Sequence, residues 1–305
     1  MALPRTISVI GAGQMGIGIA LVASLCAKIP TVLLYDRDPS QITKGLGFMD
    51  KLLAKDVSKG KISEDEAKTA RARVISIASA SSSSRQDEFG WARELEAASE
   101  RLPLKEGIFR ALAHNLSKDA ILASNTSSIS ITKLAGAAVD GLDGNVSKAS
   151  EEGKSCAGRV VGVHFFNPVP VMKLCEVIPG LQTSDETLQR AKAFAVACGK
   201  EVTTSKDVPG FVSNALLMPF INEAIMCLEQ GTATRDDIDK TLRLGMGHPM
   251  GPLQLGEFIG LDTCLAIQET CTKAHATPSI ARVSFWGGWL MQGGWERRAG
   301  RVSMN

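Results

Sequence analysis

Two short apolar runs, Thr6-Ile7-Ser8-Val9-Ile10 and Thr31-Val32-Leu33-Leu34-Tyr35, flank a glycine turn and an apolar helical stretch. Continuous β-branched and aliphatic runs of this length suit strands buried on both faces of a parallel sheet. The first forty residues therefore read strand, turn, helix, strand. Residues 40–74 place Met49, Leu52, Leu53 and Ala67 at helical spacing among lysines and acids, which predicts a solvated helical excursion. Ala120–Ser124 and Val160–Phe166 read as further strands. A proline turn, Asn167-Pro168-Val169-Pro170, then leads into a returning strand at Met172–Ile178. A helix at about 184–198 and a strand at Glu201–Thr204 follow.

From Pro209 the apolar spacing is helical throughout (Phe211, Leu216, Leu217, Phe220, Ile221, Ile225, Leu228), and Gly231 is a natural helix stop. The expected fold is α/β over residues 1–206, followed by a smaller all-α domain over 207–305. Ile77–Gly90 and Asp140–Gly158 are small, polar and without period, and are expected to be loops.

The turn after the first strand is Gly11-Ala12-Gly13-Gln14-Met15-Gly16, a GxGxxG spacing. Alone it is a weak signal. Here a strand precedes it, a helix follows it, and a second strand ends in Asp36, twenty residues after Gly16. In a Rossmann-type unit Gly11 turns the chain, Gly13 admits a pyrophosphate and Gly16 lets helix and strand pack closely. The phosphates, beside Gln14 and Met15, meet the positive helix end. Asp36 is placed to accept hydrogen bonds from a ribose 2′-hydroxyl and would repel a 2′-phosphate. The expected cofactor is NAD. Ordinary turn glycines with a capping Asp36 are the competing reading.

The 305 residues suffice for two domains with a sizeable core, and 44% apolar with 22% charged residues is a globular mixture. A net charge of +2 provides no global field toward nucleic acid or membrane, so an anionic ligand needs a local site. No apolar run is long enough to span a bilayer. The seven scattered cysteines form no CxxC pair and read as buried thiols in a reducing compartment, with no metal site expected. The first strand begins too early for a targeting peptide, and Ser303-Met304-Asn305 is not the peroxisomal tripeptide. Cytoplasmic residence is the default, with mitochondrial or peroxisomal residence left open.

Oxidation of an alcohol needs a base for the hydroxyl proton, and histidine titrates in the right range. Of four histidines (His114, His164, His248, His275), His164 stands at a strand end before Phe165-Phe166-Asn167-Pro168. Glu176, twelve residues on, would return beside it across a strand–turn–strand reversal and hold the ring. Residue types and spacing leave two readings open, a catalytic pair or a structural histidine.

Four stretches resemble the 3-hydroxyacyl-CoA dehydrogenase family: Val9–Gly16; Ala123-Ser124-Asn125-Thr126-Ser127-Ser128; His164–Val177, with its His-Phe-Phe-Asn-Pro motif; and Lys206–Asn214. A fifth, Asp236–Asp239 to Gly245–Pro252, fits the family's helical domain, and the resemblance spans residues 5 to about 265. It implies NAD-dependent oxidation of a 3-hydroxyacyl-CoA, with His164 as base and Glu176 as its orienting partner. By the same resemblance Ser127 bonds the substrate's 3-oxygen, and Asn214 helps hold the substrate. Glu100 and Lys105 fall in register with a glutamate and lysine near the nicotinamide ribose. Lys51, Lys55 and Lys59 lie where the family meets the CoA phosphates, although a solvated lysine face is the better fit to them. A homodimer through the helical domain is implied, and the apolar face over 211–228 accords with it or with a monomer's own core.

Three stretches depart from the family pattern. Trp91–Glu96 is charged where the family has an apolar strand, the 140–158 segment is longer, and residues 278–305 end differently, with Phe285, Trp286, Trp289 and Trp295 among glycines. Two rivals stand beside the main expectation: a related dehydrogenase of a free hydroxy acid, and a non-catalytic NAD-binding homologue.

Overall fold

A computed structural model describes residues 3–77, 92–139 and 149–274. The chain forms two compact units, Met1–Asp207 and Val208–Asn305. In the first, the described residues form eight strands of one sheet: β1 (Thr6–Ile10), β2 (Thr31–Tyr35), β3 (Val74–Ser76), β4 (Ala92–Glu96), β5 (Leu122–Ser124), β6 (Val160–Phe165), β7 (Leu174–Pro179) and β8 (Glu201–Thr204). The order is β3-β2-β1-β4-β5-β6-β7-β8, and neighbours are parallel except for the β6–β7 pair. The first six strands have the doubly wound order of dinucleotide-binding folds, whose ligand crevice lies beyond the carboxyl ends of the strands where the order reverses. Here that point is between β1 and β4.

Helix α1 (Gln14–Leu25) crosses from β1 to β2 with almost every residue buried, as a crossover against a covered sheet requires. The solvated excursion is two helices, α2 (Pro39–Ser58) and α3 (Glu64–Ala72). Asp38 caps the first, and a Ser63/Glu66 capping box starts the second. Helices α4 (Leu102–Asn115), α5 (Ile131–Ala137), α6 (Glu151–Gly158) and α7 (Asp185–Ala197) are the other helices among the described residues of the unit.

One expectation is corrected here, and one departure from the family pattern is accounted for. Residues 151–158, expected to belong to a loop, form α6, because Ser150 caps Gly153 N–H and Glu151 and Glu152 favour the positive helix end. The charged segment before Glu100, set apart as a departure, is the central strand β4. Its backbone pairs with β1 and β5, Leu95 joins the core, and the carboxylate of Glu96 finds internal partners. The reading of 77–90 falls almost wholly outside the described residues, as do those of 140–148 and 278–305.

The second unit contains α8 (Ser213–Glu229), α9 (Arg235–Gly245), α10 (Pro252–Ile259) and α11 (Leu261–Ala274). They close on Met218, Ile221, Ile225, Ile238, Leu253 and Cys264. Gly231, at φ +69°, ends α8 as its position predicted. Asp207, counted with the second domain on sequence, stands with the first. Its carboxylate accepts from Ser130 Oγ (2.8 Å), Ile131 N (2.9 Å) and Thr132 N (2.7 Å) and so caps α5. Among the described residues no helix is long and apolar enough to cross a membrane, and no group of three or more His, Cys, Asp or Glu gathers as a metal site.

Candidate active site

Sheet register brings the chemistry-bearing residues to one edge. Ile10 pairs with Glu96, Glu96 with Ser124, and Ser124 with Gly162. The segments that follow, Gly11–Gly16, Ala97–Lys105, Asn125–Ser128 and His164–Phe166, therefore leave the carboxyl ends of β1, β4, β5 and β6 side by side.

On the cofactor side each glycine has its own constraint. Gly11 adopts φ +107°, and a Cβ there would lie 2.6 Å from Ala97 O. At Gly16 a Cβ would fall 1.8 Å from Gly11 O, so helix and turn can approach only without one. Around Gly13 nothing lies within 4 Å of such an atom. Gly13 is the N-cap of α1, lends no side-chain cap, and the first turn carries no acid. The helix thus presents N–H donors and its positive end to open space, the environment a pyrophosphate needs. Asp36 directly follows the last residue of β2, one position beyond the strand it was predicted to end. Its Oδ2 accepts from Ala12 N (2.8 Å) and Oδ1 from Asp38 N (2.9 Å), which fixes the carboxylate while leaving each oxygen a further lone pair. These residues fit an NAD.

On the chemical side, His164 and Glu176 are directly opposed across the antiparallel β6–β7 pair. Both are buried, and His164 Nδ1 lies 2.9 Å from Glu176 Oε2. An ionised carboxylate only accepts, so Nδ1 carries the proton and Nε2 is the basic nitrogen. Phe166 packs against the imidazole with ring centroids 4.5 Å apart. Phe165 N–H donates to Asn125 Oδ1 (2.8 Å), tying the β6 end to the β5 end. The hairpin geometry expected from the twelve-residue spacing is thus present.

Ser127 lies on the turn after β5, and that turn is organised by Glu100. Oε1 of Glu100 accepts from Thr126 Oγ1, from N and Oγ of Ser127 (2.9 and 3.3 Å), and from N and Oγ of Ser128 (3.1 and 3.2 Å). Its Oε2 lies 3.3 Å from Lys105 Nζ. Burial pushes the Glu100 carboxyl up, but Lys105 and the hydrogen bonds from Thr126 and Ser127 outweigh it and hold it below the ordinary value. Lys105 is fully buried and also reaches Glu96 Oε1 (2.7 Å) and Oε2 (2.8 Å). Sequence reasoning placed Lys105 against the cofactor; here it presents no surface to a ligand. Glu96 and Asn125 were not singled out. The spacing Glu96, Glu100, Lys105 was the available signal, obscured because Glu96 sits in a strand with charged neighbours.

A cleft of about 180 Å³ between α1, α2 and the proline turn is lined by Phe48, Lys55, Lys59, Lys61 and Val171, among others, but not by the exposed Lys51. Asn214 belongs to the second unit, as the second residue of α8.

Comparison with known proteins agrees with this arrangement. Residues 6–208 match the family model of the 3-hydroxyacyl-CoA dehydrogenase NAD binding domain, and 210–301 that of its C-terminal domain. The second match runs past residue 265, where the resemblance seen in the sequence stopped. A probable 3-hydroxybutyryl-CoA dehydrogenase of Bacillus subtilis is 43% identical over 87% of this chain and 84% of its own. The 3-hydroxybutyryl-CoA dehydrogenase of Bradyrhizobium diazoefficiens is 40% identical over 90% and 86%. Among solved structures, the (S)-3-hydroxybutyryl-CoA dehydrogenase of Ralstonia eutropha superposes with a TM-score of 0.83 at 36% identity, over 95% of this chain and 94% of that one. A dinucleotide turn and a hairpin histidine on one sheet edge, matched along both units, make this NAD-dependent dehydrogenase a member of the 3-hydroxyacyl-CoA dehydrogenase family.

Proposed function

We propose that the chain reversibly oxidises a 3-hydroxyacyl-CoA to the 3-oxoacyl-CoA, with short acyl groups such as 3-hydroxybutyryl among its substrates. The observation that carries this reading is the His164–Glu176 pair, registered across β6–β7 on the same sheet edge as the Gly11–Gly16 turn. When bound, NAD+ supplies the acceptor for the hydride leaving C3. His164 Nε2 takes the hydroxyl proton as the C3–O double bond forms. Glu176, on Nδ1, stabilises the imidazolium and fixes the tautomer. Ser127 bonds the 3-oxygen, Glu100 holds the turn that carries Ser127, and Asn214 contributes to substrate binding as the resemblance implies. The lysine-lined cleft supports a CoA thioester, since Lys55 and Lys59 offer ammonium groups suited to its phosphates beside the apolar Phe48 and Val171, with Lys61 paired to Asp56 at 3.3 Å. A homodimer through the helical unit belongs to the same reading, supported by the exposed Leu216, Leu244 and Phe258.

The test compares acetoacetyl-CoA with free acetoacetate at equal concentration, following loss of NADH absorbance. Turnover of the thioester should exceed that of the free acid by ~100-fold or more, because binding energy from the remote CoA moiety is used at the reacting carbon. Equal rates would favour a dehydrogenase of free hydroxy acids. NADH binding without turnover of either would favour a non-catalytic homologue.

A further inference from the structure

We propose that Glu96 is a positioning residue of this site, acting on Ser127 through Lys105 and Glu100. The inference rests on the reading of Ser127 as the group that bonds the substrate's 3-oxygen. Glu96 ends the central strand β4 and is wholly buried, yet every contact made to its carboxylate is a donation. Lys105 Nζ reaches both oxygens, Ala98 N donates to Oε1 (2.6 Å) and Ser124 Oγ donates to Oε2 (2.7 Å). Lys105, in the first turn of α4, joins this carboxylate to the second one, Glu100 Oε2 at 3.3 Å. Glu100 in turn gathers the backbone N–H and hydroxyl of both Ser127 and Ser128. The result is an unbroken chain of polar contacts from the sheet interior to the Ser127 hydroxyl.

Two features argue for more than packing. Burying an ammonium between two carboxylates is rarely the most stable way to fill a core, since apolar groups of the same volume avoid the desolvation cost. The trio also carries two anions against one cation. Glu96 satisfies the Lys105 ammonium from the sheet side, so Lys105 does not neutralise Glu100 alone. An amide at position 96 would turn an NH2 group toward a neighbour that itself donates. Lys105 would then move its charge onto Glu100 and loosen the grip of Glu100 on the 126–128 turn.

The experiment has two arms, using the full-length protein carrying Glu96→Gln and, as a milder change that removes a single donor, Ser124→Ala. The first arm reads amide hydrogen exchange at Ser127 and Ser128. Both amides should exchange ~10-fold faster in Glu96→Gln, and less so in Ser124→Ala, with Leu34 in β2 unchanged as a remote reference. The second reads kcat with NADH and acetoacetyl-CoA in a double-mutant cycle with Ser127→Ala. Glu96→Gln should lower kcat ~10-fold alone and add little once Ser127 is gone. Unchanged exchange at Ser127 and Ser128 in folded variants overturns the proposal, and so does a Glu96→Gln effect that persists in full without Ser127. If the unaltered protein does not turn over acetoacetyl-CoA, the functional reading fails and the exchange arm still decides on Glu96. If Glu96→Gln does not fold, Ser124→Ala carries both arms.

Discussion

Glu100 concentrates more interactions than any other side chain on the chemical edge, and its protonation should be visible in stability. Its folded-state value is depressed, despite burial, by Lys105 and by the donors of the 126–128 turn. A carboxylate of this kind stabilises the fold fully above its unfolded value, near 4.5, and that contribution is lost as pH falls through the lower folded value. Acid titration of unfolding should therefore show a stability loss below that point. The loss should shrink in Glu100→Gln, which has no charge to lose, and an unaltered acid profile in that variant would remove Glu100 as its source. The residue pair most open to sequence reasoning was His164 and Glu176, because an antiparallel return of known length predicts which residues face each other. Lys105 was not legible in the same way. Its register placed it near the cofactor, but the partner that draws it inward, Glu96, lies on a strand whose charged neighbours hid its burial.

The glycine turn shows at the scale of an element how three identical residues answer to different constraints. Gly13→Ala should fold, since nothing lies within 4 Å of the added Cβ and the backbone angles suit alanine. The methyl would stand where the pyrophosphate approaches, so NADH affinity should fall ~10-fold or more with Tm nearly unchanged. Gly16→Ala should instead lower stability, by about 2 kcal/mol or more, because the Cβ meets Gly11 O at 1.8 Å. Calorimetry and NADH titration of the two variants separate these outcomes, and equal stability would contradict the assigned roles. Among elements, the β1-α1-β2 unit was legible because strand, turn, helix and Asp36 agree locally. Helix α6 was not, since its cap at Ser150 lies at the end of a Gly- and Ser-rich stretch whose composition argues for loop. Strand β4 is charged where the family pattern is apolar, and backbone pairing on both sides, with partners for its buried carboxylate, lets such a sequence occupy a sheet centre.

At the scale of the whole molecule the sheet does the organising. Its order places the glycine turn at the end of β1, β4 and β5 lead in register into the segments that carry Glu100 and Ser127, and His164 stands near the end of β6 itself. The antiparallel β7 then returns Glu176 to His164, which a purely parallel continuation would not do. A mixed α/β first unit and a helical second unit were both legible from hydrophobic spacing, whereas the strand order is set by long-range pairing that spacing does not reveal. The point where the units divide differs by one residue from the sequence reading because the carboxylate of Asp207 is spent on capping α5, a long-range contact that composition does not reveal. A base held by a carboxylate that completes a hydride transfer on a CoA thioester should show itself in the rate of NADH consumption with acetoacetyl-CoA, measured in the unaltered protein and in His164→Ala, each first shown to be folded and to bind NADH. Turnover is expected in the former and a loss of ~100-fold or more in the latter. A near-normal rate in His164→Ala, or no turnover by the folded, NADH-binding protein, would contradict this mechanism.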